Sequence, residues 1–488
     1  MPRINLGLFF GVLVLLCPAP SHAQVKDSFA QALVQFANAA TGDLNDNGAS
    51  LTSAVDAMAQ GLAEWDAALV RMESGFGSEI ASAPPPIAAR MRTALGAAYL
   101  ERGRLDDALK QFQAAASLDP AFADVHVMKG LALEAANRQA DAAAAYRAAW
   151  QRQPDNMASA YRSLRLAGRG SASPVAEVVK ALSREVERQS TPDDKSAVSF
   201  VDARLLDEAS IAAPIFAPAA FNDALGLLVQ SKYEEAIAML KAPARVPLAT
   251  VRDEHARLEA ADARTEARDP VGARAALEDA IRAFPKSGMS HWLLGQVQLT
   301  LGDDAGALRS FQSAAALPSL AGAAHLYTAI GRIQHNQLDL DGAASAYSKR
   351  VNLIPNDASA HLDLGDVYRA QDHLDDALAE YLMASLLDPT SVRALVTAAQ
   401  IHAAAGRDDS AVTLLRRAVA LNASHLEARY ALSRALMRLG LADEARSELQ
   451  VFEQLQQKAL QDERRRFEEN QIRIDETLKR SERPEPGR

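Results

Sequence analysis

Aromatic residues and cysteine are scarce in this chain of 488 residues, and acidic residues outnumber basic ones. Phe, Trp and Tyr make up 5% of the sequence, while 49% of it is hydrophobic, with long alanine-rich stretches. A core of small residues disfavours β-sandwiches, which need aromatic and β-branched side chains, and favours closely packed helices. The 52 Lys and Arg against 62 Asp and Glu give a net charge of −10, which argues against general nucleic-acid binding.

Motifs of catalysis are also missing from the sequence. It contains no HExxH, P-loop or GxSxG pattern, and its histidines lack the spacing of metal ligands. Residues 43–48, DLNDNG, match the first half of an EF-hand calcium loop, but Ala54 stands where that loop needs a bidentate glutamate. The same residue types form ordinary turns between helices. We therefore expect no enzyme, no cofactor and no metal site, with a calcium loop as the less favoured alternative.

The first 23 residues have the pattern of a secretory signal peptide. Arg3 precedes an apolar run over residues 6–16, and residues 21–23, SHA, form a cleavage-site pattern. Cleavage there predicts a periplasmic or secreted protein whose mature chain has no thiol, because Cys17 is the sole cysteine. The alternative is a lipoprotein acylated on Cys17, which the bulky Leu16 before it disfavours. No later stretch approaches the length of a membrane span.

A constant spacing runs through most of the sequence. Gly96 and Gly130 are separated by the same interval as Pro355 and Pro389. A series of alanines follows this interval too, with two extra residues between its second and third members: Ala273, Ala307, Ala343, Ala377, Ala411 and Ala445. A fixed period of about 34 residues indicates an array of similar structural units.

Residues 358–391 show the chemistry of one unit. Its pattern residues are Leu364, Gly365 and Tyr368 on a first helix, Ala377, Tyr381 and Ala384 on a second helix, and Pro389 after it. Gly365 and Ala377 are small because the two antiparallel helices are expected to cross closely there. The two tyrosines are expected to fill the wider gaps between the helices.

At these residues the sequence resembles the tetratricopeptide repeat (TPR) family. The resemblance covers residues 89–156 and 254–452 in eight units, and a ninth unit is expected around residues 221–240. It implies an all-α, right-handed α-solenoid of stacked helix–turn–helix repeats, in two arrays and followed by a long C-terminal helix. It also implies that the first helices of the repeats line a concave groove for a protein or peptide.

Four residues depart from the family pattern. Arg350 and Phe452 replace the small residue at which the second helix packs. Arg264 and Gln298 stand where the first helix usually has an aromatic residue. These departures weaken individual units and leave the array intact.

Segments outside the repeats complete the predicted domain organisation. The helical pattern lapses at residues 83–86, APPP, and again at residues 168–170, GRG. The predicted segments are a signal peptide (1–23), an N-terminal helical segment (24–86), a first array (87–167), an interrupting segment (168–219), a second array (220–452) and a charged C-terminal helix with a tail (453–488). The apolar stripe of that last helix is broken by Arg464 and Gln471, so we expect a solvated helix and a monomer rather than a coiled-coil dimer.

The repeat register assigns the candidate binding residues to the inward side of the first helices in the second array. They are Trp292, Gln296, Arg332, His335, Asp363, Asp366, Arg369, Arg393, Gln400, Tyr430, Arg434 and Arg438. Four of the arginines, at positions 369, 393, 434 and 438, favour an anionic ligand in this acidic protein, such as a peptide carboxylate or an acidic segment. The alternative is that these charges simply solvate the surface.

Together these features predict an exported, non-catalytic scaffold or adaptor of bacterial origin that binds protein or peptide segments in its groove. The alternative is a lipid-anchored assembly factor for an outer-membrane export or polysaccharide complex. We expect the protein to bind no nucleic acid and to contain no membrane span.

Overall fold

The structure is a computed structural model, in which residues 31–32, 35, 49–166, 172–188, 222–229, 232–241, 248–318, 320 and 322–481 are described. All regular elements within these ranges are helices, so the predicted all-α solenoid class is confirmed. The predicted signal peptide with Cys17, and the calcium-loop-like residues 43–48, lie outside the described residues. Within the described ranges, no helix combines the length and the apolar character that crossing a membrane requires.

The helices up to residue 241 begin with one long helix and continue in shorter ones, the last two of which lie at the start of the predicted second array. They are α1 (Ala49–Ser82), α2 (Pro85–Glu101), α3 (Leu105–Leu118), α4 (Ala123–Ala135), α5 (Gln139–Arg152), α6 (Met157–Leu166), α7 (Ala172–Arg188), α8 (Asn222–Val229) and α9 (Tyr233–Lys241). The first array comprises α2 to α6, in which α2 packs on α3, α4 packs on α5, and α6 packs on α5.

The remaining helices have nearly the same length, except for the first and the last, which are longer. They are α10 (Leu248–Glu266), α11 (Pro270–Ala283), α12 (Gly288–Thr300), α13 (Asp304–Ala315), α14 (Ala324–Asn336), α15 (Leu340–Leu353), α16 (Ala358–Ala370), α17 (Leu374–Leu387), α18 (Val392–Ala404), α19 (Asp408–Leu421), α20 (Leu426–Arg438) and α21 (Ala442–Ser481). The last helix runs for 40 residues, so the predicted boundary between residues 452 and 453 falls inside it.

The recurring spacing of glycine and aromatic residues within a unit has a direct packing cause. A Cβ atom on Gly96 would lie 2.6 Å from the ring of Phe112, which belongs to the second helix of the same unit. The pairs Gly130–Tyr146, Gly295–Phe311 and Gly331–Tyr347 repeat this close approach. Real Cβ atoms do not come so close to a ring, and Phe112 is fully buried with little room to move. The predicted close crossing of the two helices is therefore present in four units.

The turn within each repeat uses a left-handed backbone. The residues with positive φ all fall at one register position, and they are Gly103, Asn137, Arg268, Gly302, Leu338, Asp372, Gly406 and Gly440. Glycine adopts this conformation without steric cost, whereas a residue with a Cβ atom is strained there. Leu338, at φ 62°, is the least suited of the eight, because it is also 81% exposed and gains little from burial.

The four departures from the repeat pattern are accommodated by polar contacts or by stacking. Gln298 accepts a hydrogen bond of 2.7 Å from the Ser310 hydroxyl of the paired helix. Arg264 donates to the carbonyl oxygen of Gly272 at 3.3 Å. Phe452 stacks on a tyrosine in the last unit, as described below.

Arg350 is the most buried of these departures. Only 9% of the residue is exposed, and its guanidinium contacts the carboxylates of Asp357 at 2.7 Å and Asp363 at 2.5 Å. It also donates to the Ser359 hydroxyl at 2.5 Å. Because a buried charge is tolerated only when it is paired, these three partners explain how an arginine replaces a small residue here.

The chain divides into two compact units. Unit 1 contains Met1–Val178 and Val198–Ala377, and unit 2 contains Val179–Ala197 and Leu378–Arg488. Unit 1 therefore holds the first array together with α8 to α16, and unit 2 holds the later part of α7 together with most of α17 and α18 to α21.

Within unit 1, α9 packs back on the helices that open the chain. The guanidinium of Arg102, in a residue that is 5% exposed, contacts Asp66 of α1 at 2.8 Å and also the carboxylate of Glu234 in α9. The ring of Tyr233 lies under Arg102, with 5.5 Å from Cζ to the ring centroid, and 6.3 Å from the ring of Trp65. One buried arginine at the end of α2 thus joins α1 to α9, which lies far from both in sequence.

The last helix of the first array contacts the second array inside unit 1. Nε2–H of His361 donates to the Pro355 carbonyl at 2.9 Å, so its Nδ1 accepts from the Tyr161 hydroxyl at 3.3 Å. Arg165 donates to the Ser348 carbonyl at 3.4 Å. The repeat register did not predict these contacts. A period of about 34 residues describes neighbouring repeats, and it carries no information about which distant repeats contact each other.

Candidate protein-binding faces

The first helices of the first array, α2, α4 and α6, are covered on nearly all sides. In α2 the eight consecutive residues from Thr93 to Leu100 are buried. In α4 the buried residues include Val127 and Leu131. In α6 seven of the ten residues are buried. A helix buried over consecutive residues offers no exposed stripe to a partner, so the described part of the first array presents no groove.

The polar groups of the first array serve the fold. The Tyr146 hydroxyl donates to the carboxylate of Glu134, which also pairs with Arg162 at 2.5 Å. Burial raises the pKa of the Tyr146 hydroxyl well above its usual value. The three side chains satisfy one another between α4, α5 and α6, and this is a structural network rather than a site for chemistry.

The first helices of unit 1 that follow the first array are different. Their exposed polar residues include Gln296 on α12, Arg332 on α14 and Arg369 on α16, and His335 and Asp366 on the same helices are half-buried. We call these five residues the unit-1 face. All five belong to the predicted set, and three of them are exposed to solvent.

Trp292, another predicted residue, contributes packing more than exposed surface. Its ring lies 5.1 Å from the ring of Phe311 and 4.6 Å from that of His325, measured between centroids. The residue is half-buried and packs against the core cluster formed by α13 and α14. Trp292 therefore belongs to the packing between helices and contributes little to the exposed surface.

Charges of both signs surround the Tyr347 hydroxyl behind the unit-1 face. Burial raises the pKa of Tyr347 to about 12, with the negative charge of Asp363 as the next cause. Arg332, Arg350 and Asp366 also act on this hydroxyl. Asp363 is paired with Arg350, so this predicted residue holds the repeat together.

The corresponding positions of unit 2 form a second exposed surface. We call Arg393 and Gln400 on α18, with Tyr430, Arg434 and Arg438 on α20, the unit-2 face. The Tyr430 ring is 45% exposed and lies 5.3 Å from the Phe452 ring. The Arg434 guanidinium lies over the same tyrosine at 5.9 Å. Phe452 was not among the predicted site residues. The sequence did mark it as a departure from the repeat pattern, because it stands at a position where the family has a small residue.

Some predicted residues of the two faces already have partners within the chain. Arg438 pairs with Asp408 at 2.5 Å, and this hydrogen bond lowers the pKa of the Asp408 carboxyl. Gln400 donates to Glu427 at 2.6 Å. Arg369 lies 3.6 Å from Asp366, a loose exposed pair that costs little to break. An anionic partner would therefore have to compete with Asp408 for Arg438, whereas it would displace Asp366 from Arg369 more easily.

Exposed apolar side chains accompany the unit-2 face. Met437, on the same helix as Tyr430, is 51% exposed, and Leu441, in the turn after that helix, is 41% exposed. Aromatic, methionine and arginine side chains are enriched where proteins bind proteins, whereas catalytic sites need convergent titratable groups. Among the described residues, no group of three or more His, Cys, Asp or Glu side chains is placed to hold a metal ion. The arrangement is suited to binding.

A comparison with protein families agrees with the repeat pattern. The tetratricopeptide repeat family model matches residues 88–156, 258–323 and 396–459. The first two stretches include α2 to α5 and α11 to α13, and the third includes α19 and α20. No curated protein matches the chain.

Solved structures of repeat proteins resemble parts of the chain. MamA from Desulfovibrio magneticus is 18% identical, with a TM-score of 0.32 over 35% of this chain and 96% of its own. YrrB, described as a TPR protein with an unusual peptide-binding site, is 19% identical, with a TM-score of 0.31 over 35% of this chain and 88% of its own. A tetratricopeptide repeat protein from Parabacteroides merdae is 17% identical, with a TM-score of 0.33 over 41% of this chain and 78% of its own. Likenesses this partial say nothing about what the chain binds.

Proposed function

We propose that the chain, parts of which match the tetratricopeptide repeat family model, is a non-catalytic scaffold that holds protein or peptide segments on the first helices of its second array. The observation that carries this proposal is the exposure of those helices. Arg332 and Arg434 are exposed on α14 and α20, whereas the first helices of the first array are buried.

The ligand class follows from the chemistry of the two faces. The unit-2 face combines arginines with the stacked pair of Tyr430 and Phe452 and with exposed Met437. Arginine binds carboxylates in a bidentate manner, and aromatic residues supply apolar contact area at a low cost in conformational entropy. A partner segment that carries acidic side chains next to an apolar one fits this surface best.

Charge reversal tests the assignment of the faces. The Arg369→Glu and Arg434→Glu double variant, purified with a tag from its native envelope fraction, is expected to lose a partner that the wild type retains. The matched control is the Arg282→Glu and Arg446→Glu double variant, because both arginines are exposed on second helices, at 76% and 71%. A partner that both double variants retain would refute the groove assignment, and the two single variants would show which face is used.

We further propose that the protein is exported and acts in the periplasm or outside the cell. The support is the pattern of the first 23 residues, in which a basic residue precedes an apolar run and a short cleavage site. The intact mass of the protein from its native host tests this proposal. A chain that begins at Gln24 agrees with a soluble scaffold, and a chain that begins at Met1 contradicts export.

A lipid-anchored assembly factor for an outer-membrane export or polysaccharide complex is the second candidate. Its support is Cys17, the sole cysteine, at the end of the apolar run. The same mass measurement decides between the two, because an acylated chain would begin at Cys17 and carry the mass of its lipids. Labelling with palmitate that persists in the Cys17→Ser variant would rule out this anchor.

A further inference from the structure

Neighbouring repeats of the second array contact each other through a small set of positions along the unit. The rings of Trp292, the fifth residue of its unit, and His325, the second residue of the next unit, lie 4.6 Å apart between centroids. Gln400, the ninth residue of its unit, donates to Glu427, the second residue of the next unit, at 2.6 Å. The fifth and ninth positions of a first helix therefore face the first turn of the next first helix.

The twenty-seventh position of a unit, on its second helix, also meets the next first helix. Arg350 stands at this position, and its guanidinium contacts Ser359 and Asp363, the second and sixth residues of the next unit, at 2.5 Å each. At the same position in the two units that follow, Ala384 and Ala418 are fully buried. Three positions of a unit thus form the surface on which the next first helix stacks.

The last unit of the array has large side chains at these three positions, and no further helix pair follows it among the described residues. Tyr430, at the fifth position, is 45% exposed, whereas Leu362 and Val396 at the same position are buried. Phe452, at the twenty-seventh position, is half-buried, and Arg434, at the ninth, is exposed. The surface that receives a helix in earlier units is therefore accessible at this end of the array.

The chemistry of this end differs from that of an ordinary solenoid end. Terminal units usually have a polar outer face, which keeps the end of the stack soluble. Here the Tyr430 and Phe452 rings lie 5.3 Å apart between centroids, and the Arg434 guanidinium lies over Tyr430. Aromatic and arginine side chains are enriched at the centres of protein–protein interfaces, so the surface is suited to a partner.

We propose that the end of the array formed by α20 and α21 binds an amphipathic helix of a partner protein, which stacks there as the first helix of a further unit would. In its first turn this helix has an acidic residue that meets Arg434, as Glu427 meets Gln400. Four residues later it has a large apolar side chain that meets Phe452. An acidic residue in the first turn also interacts favourably with the helix dipole. This inference rests on the unit-2 face of the proposed function and states what kind of segment that face binds.

A synthetic helix that copies α20 tests the proposal on the full chain. The probe is a fluorescein-labelled peptide of residues 423–440 with Ala431→Leu, in which Glu427 and the substituted position are four residues apart. A lactam bridge on the opposite side of the peptide keeps it helical, because isolated helices of this length are only marginally stable in water.

Fluorescence anisotropy measures the binding of this probe to the wild-type protein. We expect saturable binding with a Kd on the order of 100 μM, since a single helix buries less area than a standard interface. At ~1 mM protein such a Kd corresponds to about 90% occupancy of the probe, so an anisotropy that has not begun to saturate there overturns the proposal.

An exchange of charges identifies the polar contact. Arg434→Glu is expected to weaken binding of the probe about tenfold or more, and a probe that also carries Glu427→Lys is expected to recover most of this loss on the variant. The matched control is Arg446→Glu, because Arg446 is 71% exposed on α21 of the same unit, and we expect it to leave binding unchanged. If the exchanged pair does not recover binding, the probe does not stack as proposed and the inference is wrong.

Phe452→Ala removes the apolar contact and leaves a residue that the repeat accepts at this position, as Ala384 and Ala418 show. We expect it to weaken binding of the probe about tenfold while the thermal midpoint stays close to that of the wild type. Undiminished binding by this variant would contradict the proposed position of the helix.

The result is separable from that of the proposed function. If the Arg369→Glu and Arg434→Glu double variant loses its native partner but the wild type does not bind the probe, the faces bind a segment that is not a stacked helix, and only the present inference is refuted. If the wild type binds the probe and the double variant retains its partner, the helix site is supported and the groove assignment is refuted.

Discussion

The first helices of the two arrays share a register but not an environment. At the ninth position of the unit that starts at Ala123 stands Leu131, which is 6% exposed, and at the ninth position of the unit that starts at Ala324 stands the exposed Arg332. The repeat sequence specifies that a helix occurs there and how it packs on its partner helix. Whether its outer side meets water or protein depends on contacts with distant parts of the chain, such as that of Tyr161 with His361.

The sharpest test of this comparison places the same charge at the same repeat position. Leu131→Glu is expected to destabilise the protein by about 4 kcal/mol or more, because it buries an unpaired carboxylate. Arg332→Glu is expected to change stability by less than about 0.5 kcal/mol, because its side chain is exposed. Urea unfolding followed by circular dichroism measures both, and equal effects of the two substitutions would refute the difference in environment.

A buried charge within the exposed array gives the next largest effect. Arg350→Ala is expected to cost about 3 kcal/mol, because it leaves two partly buried carboxylates, Asp357 and Asp363, without their cation. Arg282→Ala on α11 is the control and is expected to cost less than about 0.5 kcal/mol, since exposed ion pairs contribute little. If the two variants unfold at the same urea concentration, Arg350 is not the structural residue that its contacts indicate.

A single first helix, α18, allows the same comparison, because His402 is buried and Gln400 is only half-buried. The pH dependence of the free energy of unfolding of unit 2 tests it. Burial lowers the pKa of His402 from 6.5 to about 4. The group binds more protons in the unfolded chain, so its contribution to stability is present above pH 6.5 and is lost as the pH falls towards 4. Between pH 7 and pH 5 we expect a loss of about 2 kcal/mol, from about 1.36 kcal/mol per unit of pKa shift.

Denaturant unfolding of the wild type and of the His402→Asn variant at both pH values measures this effect. The variant is expected to be less sensitive to pH by the same amount. An imidazole of His402 that titrates near pH 6.5 in NMR spectra would contradict its burial.

The smallest expected effect concerns the turns, where the repeats are alike. Leu338→Gly is expected to stabilise unit 1 by about 1 kcal/mol, because it removes a left-handed strain of about 1–2 kcal/mol while glycine loses more conformational entropy on folding. Gly302→Leu, at the same register position with φ 76°, is expected to destabilise it by a similar amount. The thermal midpoints of the two variants should move in opposite directions, and shifts in the same direction would show that backbone strain does not decide this position.

Much of the fold was predictable because the repeat is local. The small residues Gly365 and Ala377 already predicted a close crossing of two helices within one unit. In the unit before it, a Cβ atom on Gly331 would lie 2.8 Å from the ring of Tyr347, which shows how close such a crossing is. The end of the solenoid in a long helix was also predicted, since the heptad-like pattern continues past residue 452. Such features depend on neighbours within a single repeat period, and sequence reasoning records them well.

The candidate sites were predictable only in part. The register assigned Arg332 and Arg434 to the groove, and both side chains are exposed, but it also assigned Asp363, whose carboxylate is paired with Arg350. It did not select Phe452, because a residue on a second helix is not assigned to a groove, and only the structure brings it to Tyr430. Nor did it connect Ser183 with His402, which are 219 residues apart in sequence.

The sequence by itself determined that this protein is a stack of helix pairs, because the hydrophobic and small residues that define each pair lie within one period of each other. The tertiary structure decided which first helices stay open to a partner, where α9 packs and what α7 covers. These outcomes depend on single side chains such as Arg102 and Arg417, which bind groups more than a hundred residues away. A contact of that range leaves no period in the sequence, and only folding in three dimensions forms it.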